Sequence, residues 1–227
     1  MAFPALPGSL ARVRETVARH QAAAGWSHPV RIVAVTKTHG AEAVRAAMAA
    51  GLSDVGENRV QEALQKQELL TDAAVAWHLI GSLQRNKARQ AAGRFVLIHS
   101  VDRADLADEL DRRVAPDRRQ AVLVQVNCSD EPQKGGVEPD GLVPLLEHMA
   151  GLSHLEVTGL MTMSALTDHE PEQRRAFRRL RDLRDAAERR GHRLPELSMG
   201  MSGDYPVAVE EGATMIRLGT VLFGERE

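Results

Sequence analysis

The chain has 227 residues, and its 29 lysine and arginine residues nearly balance its 31 aspartate and glutamate residues, for a formal net charge of −2. This balance gives no electrostatic reason to expect nucleic acid or an anionic membrane as a partner, and no apolar run reaches the ~20 residues of a membrane-spanning helix. With a single cysteine, Cys128, and no secretory signal pattern at its N-terminus, the chain is expected to be a cytoplasmic protein.

Hydrophobic periodicity alternates between helix and strand along the chain, beginning with an amphipathic helix over Leu10–Ala24 that ends at Gly25. The predicted strands are Val30–Thr36, Ser53–Gly56, Ala76–Ile80, Phe95–Val101, Ala121–Asn127, Leu155–Met163, Leu194–Met199 and Thr214–Thr220. The predicted helices between them are Glu42–Ala50, Asn58–Leu70, Asn86–Ala92, Ala104–Val114, Asp140–Ala150, Pro171–Arg190 and Val207–Glu211.

Eight strands, each but the last followed by a helix, indicate an α/β fold with a parallel sheet. The connections are short, and eight such units in a chain of this length favour closure over an open doubly wound sheet. The pattern therefore predicts a single-domain (β/α)8 TIM barrel with an extra N-terminal helix, formed by residues 1–227.

A lysine stands at the end of the first predicted strand. Lys37 follows the β-branched run Val30–Thr36, and Gly40 ends the segment before the next helix. Because lysine is costly to bury, we expect it where the strand opens at the mouth of the barrel. A partly desolvated amine in that place can act as a nucleophile.

Glycine-containing loops follow the last two predicted strands. Ser198–Asp204 contains two glycines and the hydroxyl of Ser202, and the second loop offers the backbone of Gly219 and the hydroxyl of Thr220. Phosphate sites of parallel barrels are frequently built from these two loops. We therefore expect a phosphate cradle there, although the same glycines are also what simple turns require.

Other polar or unusual residues have simpler interpretations. His78 is better interpreted as an interior histidine with satisfied hydrogen bonds than as a catalytic base. Met161 and Cys128 are interpreted as packing residues. The charged helix Pro171–Arg190 carries acidic residues at helical spacing, which favours intrahelical ion pairs over an RNA-binding stripe. No metal-ligand spacing, P-loop or dinucleotide fingerprint is present, so we expect no metal site.

These residues alone leave two ligand types open. A sugar phosphate could be processed by a lysine aldolase, or pyridoxal 5′-phosphate (PLP) could bond the lysine through its aldehyde while its phosphate binds the cradle. The local residues do not decide between the two.

Six segments in this order resemble the PLP homeostasis protein family, the YggS/PROSC family of PLP-binding proteins, which is related to the alanine racemase N-terminal barrel. They are Ala34–His39 (AVTKTH), Gly56–Glu62 (GENRVQE), Trp77–Lys87 (WHLIGSLQRNK), Gly159–Met163 (GLMTM), Leu197–Asp204 (LSMGMSGD) and Ile216–Arg226 (IRLGTVLFGER). The resemblance implies that PLP is held as a Schiff base on Lys37, without catalytic turnover. It further implies a cofactor site whose other members are Ser202, Gly219 and Thr220 at the phosphate, Gly203 close by, Arg217 at the pyridine nitrogen, and Asn58, His78 and Met161 along the ring.

The place that the resemblance implies for Arg217 weakens the case for catalysis. A cation at the ring nitrogen disfavours its protonation, and racemases of this fold compensate with a tyrosine from a second domain of a partner subunit. The only tyrosine here is Tyr205, in the phosphate-loop region, and the chain ends soon after the eighth strand. We therefore expect a carrier that buffers and delivers PLP, with no catalytic residues; a PLP-dependent racemase-type enzyme and an aldolase are the alternatives.

The expected partners are PLP and the PLP-dependent apo-enzymes that receive it, and the chain is expected to be a monomer because a barrel completes its own site. The segment Asp130–Val137 is predicted to be a flexible loop. Its Lys134 could act as a second lysine during PLP transfer.

Overall fold

The computed structural model describes residues 2–129, 131 and 134–225. In this part of the chain, eight parallel strands close into a barrel in chain order, with the first strand paired to the last. The strands are β1 (Arg31–Val35), β2 (Asp54–Glu57), β3 (Ala76–Leu79), β4 (Leu97–Val101), β5 (Gln120–Gln125), β6 (Leu155–Met161), β7 (Glu196–Ser198) and β8 (Met215–Leu218). The predicted (β/α)8 TIM barrel is confirmed. Three residues of the predicted loop (Asp130, Pro132 and Gln133) and Arg226 of the last family segment lie outside the described residues.

The helices surround this barrel and begin with the extra N-terminal one. They are α1 (Leu6–Ala24), α2 (Ala41–Ala49), α3 (Val60–Leu69), α4 (Ala88–Ala91), α5 (Ala104–Arg113), α6 (Leu142–Ala150), α7 (Glu170–Glu188), α8 (Tyr205–Glu210) and α9 (Thr220–Phe223), with 3-10 turns at Arg85–Lys87 and Pro139–Gly141.

The helix α9 corrects the expectation that no helix follows the last strand. Thr220 begins this helix and does not end the strand, because the backbone leaves the extended conformation at Gly219, where φ is −111° and ψ is −85°. A helix of four residues is too short to show a hydrophobic period in the sequence.

The helix α1 begins at Leu6, earlier than predicted, because a proline is tolerated in the first turn of a helix. Leu6, Leu10, Val13 and Val17 recur at helical spacing and are buried. They face α8 and α9, so the extra helix covers the outside of the barrel next to β8.

Alternation along the strands separates two apolar layers. In β1, Ile32 and Ala34 belong to the large layer between the barrel and the helices, whereas Val33 points into the barrel. The interior layer is small and consists of Val33, Leu97, Leu123, Met161 and Met215. Polar side chains, among them His78, His99, Ser198 and Arg217, are also buried in this part of the protein.

The charged helix α7 pairs mainly with α8. The nearly buried carboxylate of Glu211 contacts Arg174, Arg178 and Arg181 at 2.9–3.1 Å. An intrahelical pair of the predicted kind does join Arg174 to Glu170 at 2.6 Å. The predicted intrahelical pairs are therefore present, and the pairs with Glu211 add to them. A single sequence does not show the pairs with Glu211, because it does not reveal which residues outside the helix face the stripe.

Within the described ranges, no helix has the length and apolarity needed to cross a membrane. Among the same residues, no group of three or more His, Cys, Asp or Glu side chains is arranged to hold a metal ion.

Candidate functional site

The backbone turn that carries Lys37 is strained. It follows β1 and is closed by a hydrogen bond from the His39 amide to the Thr36 carbonyl at 3.1 Å. Thr38 has a φ of +69°, which a β-branched residue rarely adopts. Such strain persists only where the surrounding structure holds it, and it is concentrated at functional sites. The half-buried Lys37 therefore stands on a turn that the fold maintains against a local cost.

A buried ion pair holds the backbone immediately before Lys37. The ammonium group of Lys66 donates to the Thr36 carbonyl at 2.8 Å and to the Glu57 carboxylate at 2.5 Å. The Thr36 hydroxyl donates to the same carboxylate oxygen at 2.5 Å. All three residues are buried, so these bonds tie the ends of β1 and β2 to α3. Sequence analysis missed Lys66, and gave Glu57 no role, because nothing in the chain order signals that they meet.

The two predicted phosphate loops lie against each other. The hydroxyl oxygen of Ser202 accepts from the backbone N–H groups of Gly219 at 3.3 Å and of Val221 at 3.2 Å. A phosphate oxygen is an acceptor of the same kind, so these donors fit a phosphate group. Gly203 and Thr220 are exposed on the same two loops, and a side chain at Gly203 would meet no atom within 4 Å. This open space beside the donors is suited to an anion.

The loop before Ser202 has a rigid frame. Asp204 accepts from the Met201 amide at 2.6 Å and from the Ser164 hydroxyl at 2.5 Å. Gly200 has a φ of +93°, and a Cβ there would lie 2.6 Å from the Cβ of Ala208. Only glycine satisfies both conditions, so the turn into α8 holds the loop in a defined place.

The phosphate loops and Lys37 share one edge of the barrel. A Cβ at Gly219 would lie 3.6 Å from the carbonyl oxygen of Val35, the last residue of β1. Since β1 and β8 are neighbours, the end of β8 lies next to the turn that carries Lys37. The fold therefore brings together the lysine and the loops that the sequence singled out.

Arg217 lies in β8, just before these loops, and is 4% exposed. Its guanidinium donates to the Ser198 hydroxyl at 2.7 Å and to the Thr162 carbonyl at 2.9 Å. Burial lowers the pKa of Arg217 to about 10, and the charge of Asp204 opposes this effect. The side chain is therefore a cation at neutral pH, held by two neutral acceptors.

Further hydrogen bonds continue from Ser198 through the interior. Its hydroxyl lies 2.9 Å from Nδ1 of His99, whose Nε2 lies 2.9 Å from Nδ1 of His78. The Nε2 atom of His78 in turn lies 2.9 Å from the carboxylate of Asp54, at the start of β2. The interpretation of His78 as a satisfied interior histidine is thus supported by two ring contacts.

The charge states of two residues in this series of hydrogen bonds, His99 and Asp54, follow from their surroundings. Burial lowers the pKa of His99 well below its ordinary value, and the nearby positive charge of Arg217 acts in the same direction. Burial raises the pKa of Asp54, but the hydrogen bond and charge interaction with His78, together with Arg31, leave it below its ordinary value. At neutral pH, His99 is therefore neutral and Asp54 is ionised.

The remaining predicted site residues lie in different surroundings. Asn58 is half-buried at the end of β2, where a Cβ at Gly81 would lie 2.3 Å from its carbonyl oxygen. Met161 is 1% exposed within the interior apolar layer, as packing predicts. The places of Asn58, His78 and Met161 along a cofactor ring stay predictions.

Lys134 lies in the loop after β5 and contacts the segment after the neighbouring strand β6. Its ammonium group donates to the Ser164 carbonyl and pairs with the Glu131 carboxylate at 2.6 Å. Because the Ser164 hydroxyl donates to Asp204, this lysine is linked through two residues to the phosphate-loop frame.

Comparisons with known proteins agree with this geometry. A family model described as alanine racemase, N-terminal domain, matches residues 9–227. A pyridoxal phosphate homeostasis protein of Aquifex aeolicus is 45% identical over 221 residues, covering 96% of this chain and 97% of that protein. One of Pseudomonas aeruginosa is 44% identical over 218 residues, covering 96% and 92%. The solved structure of PipY of Synechococcus elongatus PCC7942 with PLP bound is 42% identical, with a TM-score of 0.81, and the match covers 92% of this chain and 100% of that one.

Proposed function

The chain belongs to the pyridoxal phosphate homeostasis protein family, built on the alanine racemase N-terminal barrel, and from this premise we propose that it binds PLP and controls its free concentration in the cell. The observation that carries the proposal is the strained turn that holds Lys37 beside the two phosphate loops. PLP supplies a reactive aldehyde and an electron-withdrawing ring when bound. Storage on a protein limits its reaction with other amines.

Each group of the cofactor has a counterpart among the residues at this edge. The amine of Lys37 would bond the aldehyde as a Schiff base, and Arg217 would face the ring nitrogen. The backbone donors around Ser202, Gly219 and Thr220 would hold the phosphate. Gly203 leaves open space beside them, and Asn58, His78 and Met161 are proposed along the ring.

A carrier role is favoured over catalysis by what the site offers as acids and bases. Arg217 is a buried cation, which disfavours a protonated ring nitrogen. Tyr205, the only tyrosine of the chain, is 8% exposed within α8. We propose that its ring packs α8 against the barrel and does not act as a second acid or base. A PLP-dependent racemase-type enzyme using Lys37 is the alternative, and turnover of D- and L-amino acids by purified protein would support it.

The cellular part of the proposal concerns recipients and place. We propose that PLP-dependent apo-enzymes receive the cofactor in the cytoplasm and that one chain acts alone, because the residues assigned to PLP all come from a single barrel. Amino-acid and keto-acid metabolism would then respond indirectly to loss of the protein.

The test of the proposal is the visible absorption spectrum after PLP addition and desalting. Wild type and Lys87→Ala, which removes a lysine from the 3-10 turn after β3, should retain the band of covalently bound PLP. Lys37→Ala should lose it. Retention of the band by Lys37→Ala would contradict the assignment of the lysine. Absence of the band from all three would contradict PLP binding and favour an aldolase. In an aldolase, borohydride traps the lysine only when a carbonyl substrate is added.

A further inference from the structure

A continuous line of side-chain hydrogen bonds crosses the barrel from its floor to Arg217. It runs through Asp54, His78, His99 and Ser198, with links of 2.9, 2.9, 2.9 and 2.7 Å. The three middle residues are completely buried, whereas the Asp54 side chain is 25% exposed. This line begins at the amino end of β2 and ends in the strand whose loop carries the phosphate donors. It connects the site to solvent on the opposite side of the barrel.

The direction of every bond in this line follows from its two ends. The ionised carboxylate of Asp54 can only accept, so His78 must carry its proton on Nε2. As the neutral imidazole, His78 accepts at Nδ1, and the proton of His99 is then on Nε2. Since burial keeps His99 neutral, its Nδ1 accepts from the Ser198 hydroxyl.

The other end is compatible with the same direction. A guanidinium has donors only, so Arg217 must donate to the oxygen of Ser198. With its proton directed at His99, the hydroxyl of Ser198 turns its lone pairs to the arginine. All four bonds therefore point from Arg217 towards Asp54, and no two donors or two acceptors face each other.

Reversal of the line would need an added proton. If His78 carried protons on both nitrogens, His99 would have to accept at Nε2 and donate from Nδ1 to Ser198. The hydroxyl proton of Ser198 would then have lost its acceptor in a completely buried place, which is costly. With His78 neutral, the ionised Asp54 excludes the tautomer that carries the proton on Nδ1 of His78, and so selects one of two discrete arrangements at a distance from Arg217.

We propose that Asp54, His78, His99 and Ser198 act as positioning residues for Arg217, fixing its guanidinium through one direction of hydrogen bonding and so tuning the pyridine end of bound PLP. The inference rests on the proposed function, because it needs the PLP ring at Arg217. The tautomers themselves are a property of this chain alone.

The experiment pairs Asp54→Asn with Glu196→Gln. Both carboxylates lie at the floor of the barrel near Arg31, at 3.9 and 3.4 Å, and their side chains are 25% and 22% exposed. Glu196 bonds Thr214 and not the histidines. A neutral asparagine can accept or donate towards His78, so the selection of one direction is lost, whereas the glutamine variant leaves it intact.

The first readout is the tautomer of each imidazole, measured by nitrogen-15 NMR of histidine-labelled protein without PLP. We expect His78 and His99 to carry the proton on Nε2 in wild type and in Glu196→Gln, and this preference to weaken in Asp54→Asn. A proton on Nδ1 of either histidine in the wild type would overturn the proposal without any reference to PLP.

The second readout is the absorption maximum and equilibrium dissociation constant of bound PLP. We expect Asp54→Asn to shift the band and to weaken binding on the order of three- to tenfold, the net effect of one ordinary hydrogen bond. Ser198→Ala, which removes the acceptor next to Arg217, should change both quantities in the same direction.

The outcomes separate the two proposals. If Asp54→Asn and Ser198→Ala match Glu196→Gln in PLP spectrum and affinity while Lys37→Ala loses the band, the relay is wrong and the PLP site stands. If Lys37→Ala keeps the band, the proposed function fails, and the NMR result alone then describes the interior. Predicted tautomers together with a shifted PLP band would support the relay.

Discussion

Lys66 is a buried cation whose effect on the stability of the fold depends on its partner. Its ammonium group is bonded to the Glu57 carboxylate and the Thr36 carbonyl, directly before Lys37. A buried pair adds little stability compared with apolar residues, but removal of one partner leaves an uncompensated charge. The second oxygen of Glu57 already has no hydrogen-bond partner among the described residues. This carboxylate therefore depends on Lys66.

We predict that Lys66→Met lowers the free energy of unfolding by roughly 3–5 kcal/mol, the usual cost of breaking a buried pair. Lys66→Met combined with Glu57→Gln should recover part of that loss, because the buried charge is then gone. Urea unfolding of the two variants and wild type measures both values. A double variant less stable than the single one would contradict this account.

A second prediction at this scale concerns pH. The pKa of His99 is depressed in the folded protein by burial, whereas a histidine in the unfolded chain titrates near ~6.5. Below that pH the unfolded state takes up a proton that the folded state does not, so stability falls with falling pH. The contribution of His99 is fully present above pH ~6.5 and is lost at about 1.4 kcal/mol per pH unit below it.

Urea unfolding between pH 7.5 and 5.5 tests this slope against two variants. His99→Gln should lose less stability on acidification than wild type, and the exposed His169→Gln should behave like wild type. Equal slopes for His99→Gln and wild type would show that another group carries the effect.

The backbone segments around the site pack closely against each other, most clearly at the ends of β2 and β3. The Cβ of an alanine at Gly81 would lie 2.3 Å from the backbone oxygen of Asn58, and backbone atoms cannot give way as a flexible side chain can. The absence of a side chain at Gly81 thus sets the distance between two strand ends that face the site. At Gly8, in α1, an added Cβ would make only an ordinary contact of 3.6 Å with Arg12.

We predict that Gly81→Ala costs about 1–3 kcal/mol of unfolding free energy, as overpacking does, and weakens PLP retention. Gly8→Ala should leave PLP retention unchanged and should not destabilise the helix. Urea unfolding and the PLP band after desalting report on the two effects. Full retention of PLP by a destabilised Gly81→Ala would show that this strand end does not shape the site.

In the molecule as a whole, one barrel supplies every residue assigned to PLP, and a second lysine, Lys134, lies on a neighbouring loop. Lys134 is joined through Ser164 to Asp204, which holds the phosphate loop. A connection of this kind could assist release of the cofactor to a recipient enzyme.

We predict that Lys134→Ala transfers PLP to an apo-enzyme more slowly than wild type or Lys87→Ala does. The rate at which the apo-enzyme regains activity measures this transfer. An unchanged rate would exclude a role for Lys134.

We also predict a mass of one chain, 24.8 kDa, and one bound PLP per chain. Light scattering and cofactor titration measure these two quantities. A dimer that loses PLP on dilution would contradict the expectation that one barrel suffices.

The architecture, and the candidate residues at one edge of the barrel, were both predictable from local sequence patterns. Strand and helix periods are local, so eight units were readable without knowing their contacts. Lys37 and the glycines near Ser202 and Gly219 were also readable, because a lysine ending an apolar strand and glycines after the last two strands are unusual against their neighbours. The helix α9 escaped because four residues show no period.

The contacts between polar residues inside the barrel became visible only in the folded molecule. Asp54, His78, His99 and Ser198 come from four different strands and are joined through barrel closure and register. The same holds for Lys66 and Glu57 beneath the turn of Lys37. Hydrogen bonds are short-ranged and directional, so a partner far along the chain leaves no trace in local composition, and its identity emerges only when the strands are placed side by side.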